Sequence, residues 1–413
     1  MTTDSLKEIQ NIERLLIESA NSECTVGNEP QTLSDNEINE KYLKGEVRIV
    51  TEQARYPLET VPKLFSHANY YLTPDFQRRH RWNDGRKSRL IESFIMNVPI
   101  PPIFLYETDF NKYEVMDGLQ RITAIKDFYN NSFCLQELEY WPELNGRKYS
   151  TLPEQIKKGI DRRYLSSVIL LKETAKTRED EDKLKQLVFE RINSGGVKLE
   201  YQESRNALYP SDFNKYIIKL SRYDKFCDIF NIPPQTANED LENDKIGEEL
   251  LNNRTFSSMK DVEIVLRFFA LRCMDSWKDG LSLNKFLDLF ANNAKKINGD
   301  SRMELLGEMF KESIDLSYAI YGEYTFCMWK KMKSTSEFKW TNEPNMVIYD
   351  PIMQVVSNHL QDNEKLITNK DAIFQKTKEL FENEPTLFNG RNTNVTYIKT
   401  RKDHFEKIFS DCL

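Results

Sequence analysis

Residues 112–129 read KYEVMDGLQRITAIKDFY. The first five alternate in character and are rich in β-forming types, which predicts a short strand over Lys112–Met116. From Arg121 the apolar residues Ile122, Ala124, Ile125 and Phe128 fall at helical spacing. Between the two lies Asp117-Gly118-Leu119-Gln120-Arg121. A strand that passes through Asp-Gly straight into a helix sets backbone N–H groups and an arginine at a helix N-terminus. Unpaired amides and the helix dipole both favour negative charge there, so the turn suits an anion. It also suits a structural role, with Asp117 as N-cap and Gln120 three positions on, as in a capping box. At this point both roles stay open.

Upstream, Ile103–Tyr106 is an apolar run that predicts a buried strand. It follows Pro99-Ile100-Pro101-Pro102, which ends a helix read over Asp84–Asn97 from Leu90, Ile91, Phe94 and Ile95. Before that helix comes Thr73–Trp82, where Pro74 argues for an ordered loop leaving a strand rather than for a central strand. Between Arg78 and Arg89 stand six cations, Arg78, Arg79, Arg81, Arg86, Lys87 and Arg89, against one acid, Asp84. Such runs are ordinarily solvated surface. Arg79, Arg81 and Arg86 are equally the candidates for tracking a DNA backbone. Arg78 sits between Phe76 and Trp82, where burial would require an anionic partner, either Asp117 or a bound phosphate. Further upstream, Glu46–Arg55 is strand-like and Thr60–Ala68 reads as a short helix.

Downstream, Tyr164–Lys172 (YLSSVILLK) is the most strongly β-forming segment. A helix over Leu152–Ile160 precedes it, and another, through Leu184–Ile192, follows. Asn193-Ser194-Gly195-Gly196 comes next, with two glycines where a helix stop is expected. Strands and helices thus alternate up to Tyr209, an α/β or α+β pattern. Beyond residue 212 strand signals are scarce. Helical periodicity recurs over Phe213–Ser221, Lys260–Asp275, Leu283–Lys296, Met303–Tyr321, Asp350–His359 and Lys370–Phe381. The expected organisation is an N-terminal arm (1–45) with an amphipathic helix over Leu6–Ile17, a strand-containing domain (46–211) and a mostly helical domain (212–413).

Composition agrees with a folded chain large enough for two domains: 413 residues, 39% hydrophobic, 12% aromatic and 30% charged. The net charge of −7 means that any contact with nucleic acid comes from a local patch. The six cysteines lie far apart without a CxxC pair, which fits reduced thiols rather than a disulfide framework or zinc ribbon. No apolar run approaches the roughly 20 residues of a membrane span, and the polar N-terminus resembles no signal peptide. A soluble, cytoplasmic protein is expected.

GxxxxGK[ST], GxGxxG, HExxH and GxSxG are all absent, and the four histidines are scattered. What remains is a polar set: Gln77 and Arg78; Asp117, Gln120 and Arg121; Arg191 and Asn193. Arginines bind phosphate bidentately, an aspartate can hold a phosphate-bound Mg²⁺, and a glutamine can orient an attacking water. The set suits a nucleotide or nucleic-acid phosphate.

These residues also resemble a known family. Pro74-x-Phe76-Gln77-Arg78 with Trp82, then Pro99-Ile100-Pro101-Pro102, then Asp117-Gly118-x-Gln120-Arg121, then Phe189-Glu190-Arg191-Ile192-Asn193-x-Gly195-Gly196-Val197-x-Leu199 is similar, in order and spacing, to the N-terminal domain of GmrSD-type, modification-dependent restriction enzymes. Val265–Phe269 is similar to a weaker motif of the family's helical half. The resemblance implies an α+β fold with a ParB/sulfiredoxin-like mixed sheet and a helical extension. It also implies a nucleoside triphosphate and Mg²⁺ as cofactors, and a role in restriction and anti-phage defence, where NTP binding and hydrolysis control a nuclease. Carried over by position, Gln77 and Arg78 line the phosphate pocket and Asp117 assists metal or water. Gln120, Arg121 and Gly118 meet phosphate, while Asn193, Gly195 and Gly196 shape the pocket edge.

Leu119 stands where the fullest form of the central motif has glutamine, which removes one polar contact. His359 and His404 lack the His-x-x-Pro signature of the family's HNH-like nuclease. The chain is therefore expected to be a stand-alone version of the regulatory domain. Its expected partners are an NTP, DNA and a separate nuclease or defence protein, with no membrane. A DNA-binding or nicking ParB-nuclease-like protein and a non-catalytic regulatory partner are the alternatives.

Overall fold

The chain begins with two helices, α1 (Thr3–Glu23) and α2 (Asp35–Lys44), and then lays down five strands. These are β1 (Thr51–Pro57), β2 (Tyr70–Tyr71), β3 (Ile103–Asp109), β4 (Lys112–Asp117) and β5 (Tyr164–Leu170). Interleaved with them are α3 (Val61–Leu64), α4 (Asp84–Met96), α5 (Leu119–Tyr129) and α6 (Glu154–Asp161). The structure, a computed structural model, describes residues 1–23, 34–44, 49–72, 82–172, 184–185, 187–189, 191–192, 200–237, 239–241, 246–278, 280–332, 337–390 and 393–413.

The strands form one mixed sheet in the order β1-β5-β3-β4-β2. β1–β5 and β3–β4 run antiparallel, β3–β5 and β2–β4 parallel. Successive residues of a strand point to opposite faces. Ile103, Leu105, Val115, Leu165 and Ile169 therefore pack with Leu90, Ile91 and Phe94 of α4 and with Ile122, Ala124, Ile125 and Phe128 of α5. Tyr106 and Leu170 turn the other way and join Val188, with Phe104, Met116 and Ile192 against them. Cover on both faces explains why β3 and β5 read as apolar runs rather than as alternations. This is an α+β fold, as expected.

Two compact units divide the chain: residues 28–199, which hold the sheet, and residues 1–27 joined to 200–413. The second is mostly helical. Its longer helices span Lys260–Arg272, Leu283–Ala294, Asp300–Tyr321, Met346–Asn358, Lys370–Asn383 and Val395–Ser410. Two features differ from the sequence reading there. A short hairpin pairs Trp329–Lys331 with Phe338–Trp340, where strands of three residues leave too little periodicity to see. The helix expected from Asp350 begins at Met346 and runs through Pro351, with Asn345 capping it through the Val347 amide at 2.9 Å.

The N-terminal segment is also placed differently from the arm set apart above. Ile9, Ile12 and Leu16 of α1 are buried in the helical unit's core, and Glu13 pairs with Arg272. No described helix is long and apolar enough to cross a membrane.

Candidate anion-binding site

β4 ends on Asp117 and α5 starts at Leu119, so the turn between them is Gly118 alone. Its φ of 100° lies in the left-handed region, and a Cβ there would stand 2.4 Å from Ile103 Cγ2. Only glycine lets the start of β3 and the turn close against each other. Gly118 is the N-cap of α5, and no side chain caps this helix. The capping-box alternative is thus corrected: Asp117 precedes the cap, and both it and Gln120 are directed elsewhere.

Asp117 Oδ2 pairs with Arg121 Nη2, one helical turn along. Arg121 Nη1 donates to the carbonyls of Pro101 and Pro102, the latter at 3.1 Å. The arginine side chain is only 12% exposed and that of Asp117 36%. Burial lowers the Arg121 pKa, while the Asp117 carboxylate works in the opposite direction. Pro101 and Pro102 have no N–H of their own and hold an extended backbone, so their carbonyls are rigid acceptors for the guanidinium fork. One arginine thereby ties the end of β4 to the loop that enters β3.

Gln120 reaches the other flank. Its Oε1 accepts the Trp82 backbone N–H at 3.2 Å. The Trp82 indole Nε1 is buried without a hydrogen-bond partner, and the Arg86 guanidinium lies 4.7 Å from the centre of the ring. Asn83 next to it caps α4 through the Arg86 amide at 2.9 Å. Arg86, a candidate DNA contact from the sequence, is thus stacked on Trp82.

The structure brings Asp117, Gly118, Gln120 and Arg121 together at one turn, with Trp82, Pro101 and Pro102 around them. Gln77, Arg78, Arg79, Arg81, Asn193, Gly195 and Gly196 lie outside the described residues. In the sequence Pro99–Pro102 reads as a helix stop and a family motif, and nothing in it marks the Pro101 and Pro102 carbonyls as partners of Arg121. The nearest signal is a proline pair just ahead of a strand that neighbours an Asp-Gly turn. Among the described residues, no three His, Cys, Asp or Glu side chains converge as a metal-binding group.

Residues 61–210 match the family described as GmrSD restriction endonuclease, N-terminal domain. The match spans β2 to β5 and includes the whole β4–α5 turn. No curated protein and no solved structure matches the chain.

Proposed function

We propose, from the match of residues 61–210 to the N-terminal domain of GmrSD restriction endonucleases, that the unit binds a nucleoside triphosphate at the β4–α5 turn as the nucleotide-responsive module of a bacterial restriction or anti-phage defence system. The observation that carries this reading is the uncapped N-terminus of α5 behind Gly118. A helix leaves its first N–H groups without intrahelical partners, and here no side chain takes them. Arg121, fixed beside them by Asp117 and the two prolines, adds a permanent cation that spends no entropy on positioning.

Asp117 keeps Oδ1 without a hydrogen bond among the described residues. One carboxylate suits Mg²⁺ that arrives on a triphosphate, because such an ion keeps several waters and takes one or two protein oxygens. Bound there, the metal would neutralise phosphate charge. Gln120, anchored through Oε1, has its amide NH₂ left to donate to a phosphate oxygen or a water. Gln77, Arg78, Asn193, Gly195 and Gly196 are the further contacts that the family resemblance implies. DNA and a separate nuclease or defence protein are the macromolecular partners in this reading.

Calorimetric titration of the full chain with GTP, ATP and CTP plus Mg²⁺ tests it, with Gln120→Glu as the informative variant. That change keeps an acceptor for the Trp82 amide and places a carboxylate where a helix N-terminus favours one, so stability should hold or rise by about 0.3–1 kcal/mol. Affinity should nevertheless fall at least tenfold, because the new charge faces phosphate. Absence of binding by the unaltered chain, or equal affinity in Gln120→Glu, would overturn the site.

A further inference from the structure

The helical unit contains a cavity of about 700 Å³ lined by the N-terminal halves of the helices Lys260–Arg272 and Met346–Asn358. Its size is that of a small-molecule site. It lies beyond the residues matched to the restriction-enzyme domain. Four cations line it, Arg254, Lys260, Arg267 and Arg401, against two acids, Glu343 and Asp350. That excess stands out in a chain whose net charge is −7.

Asp350 is already committed. Arg267 holds it bidentately, Nε to Oδ1 at 3.0 Å and Nη2 to Oδ2, with both side chains buried. Glu263, which also acts on Arg267, is held by Arg205 at 2.9 Å. Arg401 is 2% exposed and donates Nε to the Leu387 carbonyl at 2.8 Å. Burial lowers its pKa, with Asp350 opposing. Arg254 and Lys260 are exposed, and neither side chain forms an ion pair among the described residues. Apolar side chains such as Ile264 and Ile398 complete the walls.

The two buried guanidinium groups are held in place, Arg267 by Asp350 and Arg401 by the Leu387 carbonyl, so the charge that would recruit an anion into the cavity is that of Arg254 and Lys260 at its lining. A planar fork fits phosphate oxygens bidentately, and a lysine adds a point charge. We propose that this cavity binds a phosphorylated small molecule of nucleotide size, at a site separate from the β4–α5 turn. The concave lining, with apolar side chains among the cations, favours a small molecule over a nucleic-acid backbone, which would need an extended basic surface.

The test uses the full chain, with ADP and inorganic pyrophosphate, both in EDTA, as calorimetric probes. The double variant Arg254→Glu/Lys260→Glu changes exposed side chains only, so the fold should survive. Saturable binding of at least one probe is expected, weakened at least tenfold in the double variant and unchanged in Gln120→Glu. Hydrogen exchange should slow at residues 343–350 when the probe binds. Loss of binding in Gln120→Glu with retention in the double variant would assign the probe to the β4–α5 turn and overturn the proposal. So would the absence of saturable binding by the unaltered chain, or displacement of the probe by a short DNA duplex. Failure of NTP binding at the β4–α5 turn leaves these outcomes readable, because the variants act on different units.

Discussion

At position 118 a methyl group has no room: the backbone is left-handed and Ile103 Cγ2 already occupies the space. Gly118→Ala should therefore cost about 1–3 kcal/mol, from backbone strain and crowding against a core side chain. Urea unfolding would show the loss, and an unchanged midpoint would mean that β3 yields easily. Arg121 is argued the same way. Its fork reaches Asp117 and two carbonyls, and Arg121→Lys can reproduce the charge but not the three directions. It should cost about 1.5–3 kcal/mol, the range for hydrogen bonds to charged groups. The i,i+4 spacing of Asp117 and Arg121 is visible in the sequence. Their partners at Pro101 and Pro102 are not, because a carbonyl oxygen is common to every residue and only the fold selects which one is used.

Elements were legible where periodicity is strong. α4 and α5 follow their apolar stripes, and β5 its run of β-branched and aromatic residues. Yet α4 also buries Glu92, which is 3% exposed and accepts backbone N–H groups from Glu139, Tyr140 and Trp141 at 3.3, 2.8 and 2.9 Å. By residue type this carboxylate reads as solvated; its burial depends on a loop some fifty positions away. Glu92→Ala leaves three donors unpaired and should cost about 3 kcal/mol or more. Elsewhere in the same unit, Tyr129 and Tyr149 donate to Asp161 at 3.0 and 2.9 Å. Burial first, and then the hydrogen bond to Asp161, pushes Tyr149 up to about 12, and Tyr129 is raised as well. The folded state thus holds these protons more tightly than the unfolded chain, where tyrosine ionises near about 10. Their contribution is fully present below about pH 10 and is lost as pH rises from there toward 12. Denaturant titrations at pH 9, 10 and 11 should show falling stability, with a shallower fall in Tyr149→Phe. Parallel slopes would remove Tyr149 from the network.

On the scale of the whole molecule, the unit of residues 28–199 is inserted between two parts of the helical unit. Periodicity could show that α1 has an apolar stripe, but not which distant helices cover it, because contacts of long sequence separation leave no local trace. That is why Leu6–Ile17 reads as part of a peripheral arm while Ile9 is fully buried. α1 packs against Leu283–Ala294 and Asp300–Tyr321, and Arg272, whose side chain is only 10% exposed, takes Glu13 as its acid. Ile9→Ala should therefore cost about 2–5 kcal/mol, as a core truncation that leaves a cavity. Glu13→Ala should cost less than the about 3–5 kcal/mol typical of a broken buried pair, since Arg272 keeps Ser357 and Asn358 as acceptors. Hydrogen exchange separates this from a merely local effect. If α1 completes the core, Ile9→Ala speeds exchange in Leu283–Ala294 and Asp300–Tyr321 as well as in α1. Faster exchange confined to α1 would make it a detachable addition, and the helical core would then have to be complete without it.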